Sequence, residues 1–126
     1  MKLSKICVVD DAPAVQKIAY RILVQQLGKE VIPASNGFEA LEVINTHRPD
    51  ACFIDVEMPE LNGLQLVSIL RANPKYEKLP IAVLSSNASI FDIQKGLLSG
   101  ANLYLTKPFS RESIDKALSE LESVYE

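Results

Sequence analysis

Five short runs of apolar residues recur along the chain, and each is rich in the residue types that favour strands. They occupy residues 6–9, 31–34, 51–54, 81–84 and 103–105. The runs are continuous and do not alternate in polarity, as expected for strands buried on both faces of a parallel sheet. The pattern therefore predicts five buried strands.

The segments between and after these runs have the three- and four-residue apolar spacing of amphipathic helices. The fourth of these helices is predicted at about 90–99. The apolar positions of the other four are, in chain order, Val15, Ile18, Ala19, Ile22 and Leu23 for the first; Ala40, Leu41 and Ile44 for the second; Leu64, Val67 and Leu70 for the third; and Ile114, Ala117, Leu118 and Leu121 for the fifth. Gly28 and Gly100 would end the first and fourth helices, and Pro49 and Pro74 follow the second and third. Ser110 is a good N-cap for the fifth.

Regular alternation of strand and helix predicts a doubly wound α/β fold, because parallel neighbours need crossover connections on the two faces of the sheet. In such folds the ligand site lies beyond the carboxyl ends of the strands. Candidate functional residues are therefore expected where the five strands end.

The composition fits one globular domain of 126 residues, with 48% hydrophobic and 23% charged residues. A net charge of −3 gives no attraction for a nucleic acid backbone. No signal peptide or membrane-spanning run is visible, so a cytoplasmic protein without membrane insertion is expected. Cys7 and Cys52 lie in apolar runs and are expected to be small buried hydrophobes rather than a disulfide.

Polar side chains follow four of the strands where these end: Asp10 with Asp11, Asp55, Ser85 and Lys107. Since the carboxyl ends of parallel strands meet at one edge, these side chains are predicted to share a crevice. Three carboxylates there repel one another, and one lysine cannot balance them. A hard divalent cation could, and Mg²⁺ leaves positions open for phosphoryl oxygens.

This arrangement resembles the receiver domain of two-component response regulators, and the resemblance covers residues 1–126 as a single domain. The matching positions are the acidic pair Asp10-Asp11, the phosphoacceptor and its loop at 55–63, the hydroxyl residue Ser85, and Lys107-Pro108-Phe109. Serine at 85 replaces the family's more frequent threonine and keeps the hydroxyl donor. The resemblance implies a flavodoxin-like fold, with a five-stranded parallel sheet in the order 2-1-3-4-5 flanked by five helices.

The resemblance also implies a reaction. A phosphoryl group would pass in line from a phosphohistidine, on a histidine kinase or histidine phosphotransfer protein, to Asp55. Mg²⁺ would be held by Asp11, Asp55 and the backbone carbonyl of Glu57, with Asp10 ordering a coordinated water. The protein would then be a signalling switch rather than an enzyme, with self-phosphotransfer and autodephosphorylation as its own reactions.

Four further roles follow from the same resemblance. Lys107 would pair with a phosphoryl oxygen, and Ser85 would donate to another oxygen once phosphate is present. Tyr104 matches the family's aromatic switch position, where the ring turns inward as the Ser85 loop moves. Glu57 would tune the lifetime of the acyl phosphate, either by repelling the phosphoryl anion or by orienting the attacking water.

The fourth helix carries more apolar residues than one face can bury. The resemblance places Ile93, Gly96 and Gly100 against the sheet, which leaves an outward stripe formed by Phe91, Gln94, Lys95 and Leu98. An exposed apolar stripe usually marks an interface. The surface of the fourth helix, fifth strand and fifth helix is thus expected to bind a phosphorylation-dependent target; apolar residues that merely cover the helix ends are the alternative.

Other functions fit these residues less well. A degenerate pseudo-receiver would act as a phosphorylation-independent interaction module, but all the required residues are present. The acids Asp55 and Glu57 weakly resemble those of haloacid-dehalogenase phosphatases, whose second acid and threonine are absent. No glycine-rich nucleotide or flavin signature occurs. Residues 84–86, 90–92, 95–96 and 104–110 resemble small receivers of type IV pilus and twitching systems, and the end at residue 126 resembles standalone chemotaxis receivers.

Overall fold

The computed structural model describes residues 2–124, within which five strands and five α-helices alternate. The strands are β1 Lys5–Val9, β2 Glu30–Ala34, β3 Ala51–Asp55, β4 Ile81–Ser85 and β5 Leu103–Thr106. The helices are α1 Pro13–Tyr20, α2 Gly37–His47, α3 Gly63–Ala72, α4 Ile90–Leu98 and α5 Arg111–Ser123. Within the described residues, no helix is long and apolar enough to cross a membrane.

All strand pairs are parallel, and the order across the sheet is β2-β1-β3-β4-β5. The central strand β3 is fully buried, and its Phe53 lies beside Val8 of β1 and Ala82 of β4. The predicted fold class and strand order are therefore confirmed. Because β1, β3 and β4 are adjacent, their carboxyl ends meet at the middle of one sheet edge.

Each face of the sheet buries its own apolar cluster. One cluster is covered by α1 and α5 and contains Phe53, Leu23 and Ile114. The other is covered by α2 and α3 and contains Ile54, Ile44 and Leu66. Full burial of one such side chain contributes roughly 1.5–3 kcal/mol, so the two clusters fix the sheet between its helices.

The first helix departs from its predicted form. Regular α-helix ends at Tyr20 and a π-helical segment, Arg21–Gln26, continues it. The amide of Leu27 donates to the carbonyl of Ile22, five residues back, and the segment buries the consecutive residues Ile22 and Leu23. Gly28 ends the segment with a φ of 69°, as predicted for a left-handed cap.

The two cysteines are buried and free, as predicted. Cys7 and Cys52 are direct neighbours across β1 and β3. A hydrogen bond with Cys7, together with burial, raises the pKa of the Cys52 thiol well above its ordinary value. The group therefore stays a neutral thiol and packs as a small apolar side chain.

Arg71 on α3 joins the end of α4 to the rest of the molecule. Its guanidinium donates to the carbonyl of Gly100 at 2.8 Å, to the carbonyl of Tyr76 at 2.8 Å and to the side chain of Asn102 at 3.0 Å. The same Asn102 oxygen accepts a hydrogen bond from the amide of Ile81, the first residue of β4, at 2.8 Å. The carboxyl end of α4 is thus held in a fixed position.

The amino end of α3 packs directly on the backbone of Asp55. The amide of Gly63 donates to the carbonyl of Val56 at 3.0 Å, and Asn62 caps the helix through a reciprocal pair of bonds with Gln65. A methyl group on Gly63 would lie 2.1 Å from the carbonyl oxygen of Asp55. Only glycine allows this approach, so the position of Asp55 depends on Gly63.

Gly63→Ala is expected to lower the free energy of unfolding by about 2–3 kcal/mol, because backbone atoms that cannot turn aside must move. Gly28→Ala is the matched control, since the added methyl meets open space and only the left-handed conformation opposes it, at a cost of about 1 kcal/mol. Urea unfolding measures both variants. Equal losses would show that α3 can withdraw from Asp55 without cost.

Candidate functional site

Three polar or charged side chains of residues 2–124 are almost fully buried: Asp10, Asp55 and Ser85, with exposures of 1%, 3% and 1%. Each lies at or just beyond the carboxyl end of its strand, β1, β3 or β4. A buried polar group costs free energy unless it is paired, so each of the three needs a partner inside the crevice. The structure thus brings the predicted acceptor, one predicted acid and the predicted hydroxyl into one crevice.

The predicted acidic group is assembled. Asp10, Asp11 and Asp55 each offer a carboxylate oxygen, and these oxygens lie within 4.8 Å of one another. Asp11 is exposed at the mouth of the crevice, whereas the other two are buried. Three carboxylate oxygens at this separation are a donor set suited to a hard divalent cation such as Mg²⁺. The residues therefore fit the predicted metal.

Lys107 places its ammonium between two of the acids. Its Nζ lies 3.1 Å from Asp10 Oδ2 and 3.0 Å from Asp55 Oδ1. Burial alone would lower the pKa of Lys107, but the hydrogen bonds to Asp55 and Asp10 outweigh it and raise that pKa. Lys107 is therefore a permanent positive charge in the crevice at neutral pH.

Asp55 experiences opposing influences. Burial raises the pKa of its carboxyl above the ordinary value, and the hydrogen bond from Lys107 works against that rise. The negative charge of Asp10 raises the pKa further. The amide of Glu57 donates to Asp55 Oδ1 at 3.2 Å. The role of the Glu57 carbonyl as a metal ligand stays a prediction.

The Glu57 side chain has an unpredicted partner. Ser85 Oγ donates to Glu57 Oε1 at 2.8 Å, and Asn87 Nδ2 lies 3.5 Å from the same oxygen. The backbone amide of Asn87 donates to Ser85 Oγ at 3.1 Å. The predicted hydroxyl donor is therefore already engaged, with the residue that was predicted to tune the acyl phosphate.

Tyr104 contacts both the Ser85 loop and α4. Its hydroxyl donates to the carbonyl of Asn87 at 2.6 Å. Its ring lies against Gly96, where an added methyl would come within 2.7 Å of Tyr104 Cδ2. The ring is thus half-buried against α4 in this structure, and this close packing explains the glycine inside α4. The movement predicted for Tyr104 stays a prediction.

The outward stripe on α4 is exposed as predicted. Phe91 and Leu98 are 72% and 87% exposed, and Gln94 and Lys95 are also exposed. Gly96 is buried, in agreement with the predicted inward face. The apolar surface is wider than predicted, because Ile90 is 75% exposed as well. Its role as a partner surface stays a prediction.

Two residues of the site were missed from the sequence. Gln16 on α1 donates through its side-chain amide to the carbonyls of Val8, Asp10 and Ala34, and so fixes the ends of β1 and β2. Asn87 links Glu57, Ser85 and Tyr104. A polar residue at the border of an apolar helix stripe was the available signal for Gln16. An amide two residues after a strand-end serine was the signal for Asn87.

Comparison with known proteins agrees with this geometry. Residues 6–119 match the family described as "Response regulator receiver domain". Protein PilG of Pseudomonas aeruginosa is 37% identical over 110 residues, which cover 87% of this chain and 81% of PilG. A "Chemotaxis protein CheY homolog" of Campylobacter jejuni is 31% identical over 118 residues, which cover 93% of this chain and 91% of the homolog.

Solved structures give the same result. The chemotaxis protein CheY4 of Vibrio cholerae superposes with a TM-score of 0.87 at 33% identity, over 94% of this chain and 98% of that chain. The receiver domain of the sensor histidine kinase PA1611 from P. aeruginosa has a TM-score of 0.85 at 29% identity, over 98% and 100% of the two chains. That structure has a magnesium ion coordinated in its active site cleft. The chain described here belongs to the response regulator receiver domain family and is a CheY-like receiver.

Proposed function

We propose that this receiver is a phosphorylation switch whose acceptor is Asp55, and that residues 1–126 form one such domain, acting in the cytoplasm. The observation that carries the proposal is the position of Asp55 at the end of the central strand. It is a buried carboxylate with a lysine on one oxygen and an acidic pair beside it. A signalling protein, rather than a classical enzyme, fits an acceptor that is itself modified and then dephosphorylated.

In the proposed reaction, an Asp55 oxygen attacks the phosphorus of a phosphohistidine, and the bond from phosphorus to the imidazole nitrogen breaks. Lys107 pairs with the negative charge of the transferred group from its place beside Asp55. Asp10, buried and bonded to the amide of Ala12 at 2.9 Å, holds Lys107 from the other side. The histidine kinase or histidine phosphotransfer protein supplies the phosphoryl group.

Mg²⁺ is the proposed cofactor, held by Asp11, Asp55 and the Glu57 carbonyl, with Asp10 ordering a coordinated water. When bound, the ion would offset negative charge on the transferred group. The donor set supports this choice, because three carboxylate oxygens within 4.8 Å carry more negative charge than Lys107 balances.

The phosphodonor protein has an apolar surface to approach. A pocket of about 240 Å³ opens beside Lys107, and its lining is Val15, Ile18, Ser86, Lys107, Pro108 and Phe109. Ile18 is 40% exposed although it lies on the apolar side of α1. An apolar rim next to the reacting group suits a protein partner that must place its histidine in line with Asp55.

The proposed output passes through Tyr104 to α4, where Phe91, Gln94, Lys95 and Leu98 would meet a phosphorylation-dependent target. Tyr104 supports this path because it contacts both the loop after Ser85 and the buried face of α4. The similarity to Protein PilG and to a chemotaxis protein CheY homolog supports a target in a pilus or chemotaxis system.

Asp55→Asn is expected to abolish phosphorylation, because the amide has no carboxylate oxygen to attack phosphorus. Mass spectrometry after treatment with acetyl phosphate and Mg²⁺ should show one added phosphoryl group on the parent and none on the variant. Asp115→Asn, which changes an exposed acid on α5, should be modified like the parent. Persistence of the added mass in Asp55→Asn would remove Asp55 as the acceptor.

Mg²⁺ is expected to bind weakly without phosphate, since it resists dehydration. Asp11→Ala should lower the affinity for Mg²⁺ at least about tenfold. Even the loss of a group that only hydrogen-bonds to a metal ligand lowers metal affinity about 10- to 100-fold. Isothermal titration calorimetry measures this, with Asp115→Ala as the control for lost charge. Equal affinities for parent and Asp11→Ala would refute the proposed site.

Replacing Phe91 and Leu98 with serine is expected to abolish capture of the phosphorylation-dependent target while Asp55 is phosphorylated normally. Both side chains are exposed, so unfolding free energy should change by about 0.5 kcal/mol or less per site. Pull-downs with acetyl phosphate-treated bait make the comparison, and Phe38→Ser, an exposed aromatic on α2, is the control. Undiminished capture, or a large loss of stability, would contradict the assignment.

A further inference from the structure

The only hydroxyl hydrogen of Ser85 is already in use. A serine hydroxyl has one donor hydrogen, and Ser85 directs it to Glu57 Oε1 at 2.8 Å. The same oxygen accepts a hydrogen bond from the Asn87 amide at 3.1 Å. Ser85 itself is 1% exposed, whereas Glu57 is exposed, so the carboxylate can turn to solvent when the hydroxyl leaves it. The Glu57 carboxylate is therefore an internal acceptor for the hydroxyl that the proposed switch needs.

A phosphoryl group on Asp55 would require that same hydrogen. Two anionic acceptors cannot share one donor at full strength, so the Ser85 hydroxyl must leave Glu57 to reach the phosphoryl oxygen. Any interaction present in only one of two states shifts the balance toward that state by its own free energy. The bond from Ser85 to Glu57 belongs to the unphosphorylated state.

We propose that Glu57 is a positioning residue that holds Ser85 and the β4–α4 loop in the unphosphorylated arrangement, by competing with the phosphoryl group for the Ser85 hydroxyl. This inference rests on the proposed phosphorylation of Asp55. It gives Glu57 a task distinct from repelling the phosphoryl anion or orienting water, because the effect passes through Ser85.

The loop geometry supports the inference. Asn87 reaches Glu57 Oε1 through its side chain at 3.5 Å and receives the Tyr104 hydroxyl on its carbonyl at 2.6 Å. Release of Glu57 therefore frees one side of the loop, while Tyr104 still holds the other. Glu60 lies three residues further along the same loop and is exposed, and its side chain makes no hydrogen bond or ion pair within residues 2–124. Glu60 thus supplies a matched charge without the contact.

The test measures binding of beryllofluoride, a phosphoryl analogue, in Mg²⁺ by NMR titration of backbone amides. Glu57→Ala should bind it about tenfold more tightly than the parent, because the competing acceptor is gone. Glu57→Gln should gain less, because its amide oxygen still accepts from Ser85 but carries no charge. Glu60→Gln should stay within about twofold of the parent. In the free protein, the Asn87 amide resonance should shift in both Glu57 variants and not in Glu60→Gln.

A double-mutant cycle separates competition from charge repulsion. On a Ser85→Ala background, the gain from Glu57→Ala should fall to about twofold or less, because the contested hydrogen no longer exists. A full tenfold gain on that background would assign the effect to repulsion and overturn the inference, as would equal affinities of parent and Glu57→Ala. If the parent itself neither binds beryllofluoride nor gains mass from acetyl phosphate, the proposed function fails and this inference with it.

Discussion

The site depends on one partly buried cation, the ammonium group of Lys107. Asp10 and Asp55 are almost fully buried and would repel each other strongly without the ammonium of Lys107, which lies 3.1 and 3.0 Å from their oxygens. The sheet order makes this possible, because β1 and β3 are neighbours and β5 ends two strands away from β3 on the same edge. The amide of Lys107 donates to the carbonyl of Ser85 at 2.7 Å. This bond extends the β4–β5 pairing by one residue and fixes the backbone position from which the Lys107 side chain reaches the acids. The charge balance of the crevice is therefore a consequence of strand register.

A second constraint divides the molecule into fixed and adjustable parts. Gly63 brings α3 against the backbone of Asp55, and Arg71 ties α3 to the end of α4. The helix α3 therefore contacts both Asp55 and the carboxyl end of α4. The amino end of α4 is different, since it follows four exposed residues, 86–89, among which Asn87 makes the hydrogen bonds to Ser85 and Tyr104. Of the residues in α4, only Gly96 is buried. The helix is consequently anchored at one end and lightly held at the other.

Much of this could be predicted from the sequence. Continuous apolar runs defined the strands, and strand-end polar residues defined the crevice, because both follow from periodicity and topology. The strand order and the residue roles came from the family resemblance. The π-helical segment was not predictable, since nothing in the stripe around Ile22 and Leu23 marks a wider turn. The hydrogen bond between Glu57 and Ser85 could not be predicted from the sequence either. Contacts between side chains 28 residues apart depend on loop conformation, which periodicity does not describe.

The contrast between core and loop sets the energy scale of the proposed switch. The sheet is held by two clusters in which each large side chain contributes roughly 1.5–3 kcal/mol, so its strands cannot shift in response to one added group. The loop after Ser85 is held by a few hydrogen bonds, each worth about 0.5–1.5 kcal/mol net, or about 1.5–3 kcal/mol where a charge takes part. A phosphoryl group on Asp55 offers Ser85 a charged acceptor of the same kind as Glu57, so the two arrangements of the loop would differ by only a small free energy. Such a balance would allow one covalent modification to move α4, as proposed, while the fold around Asp55 stays unchanged.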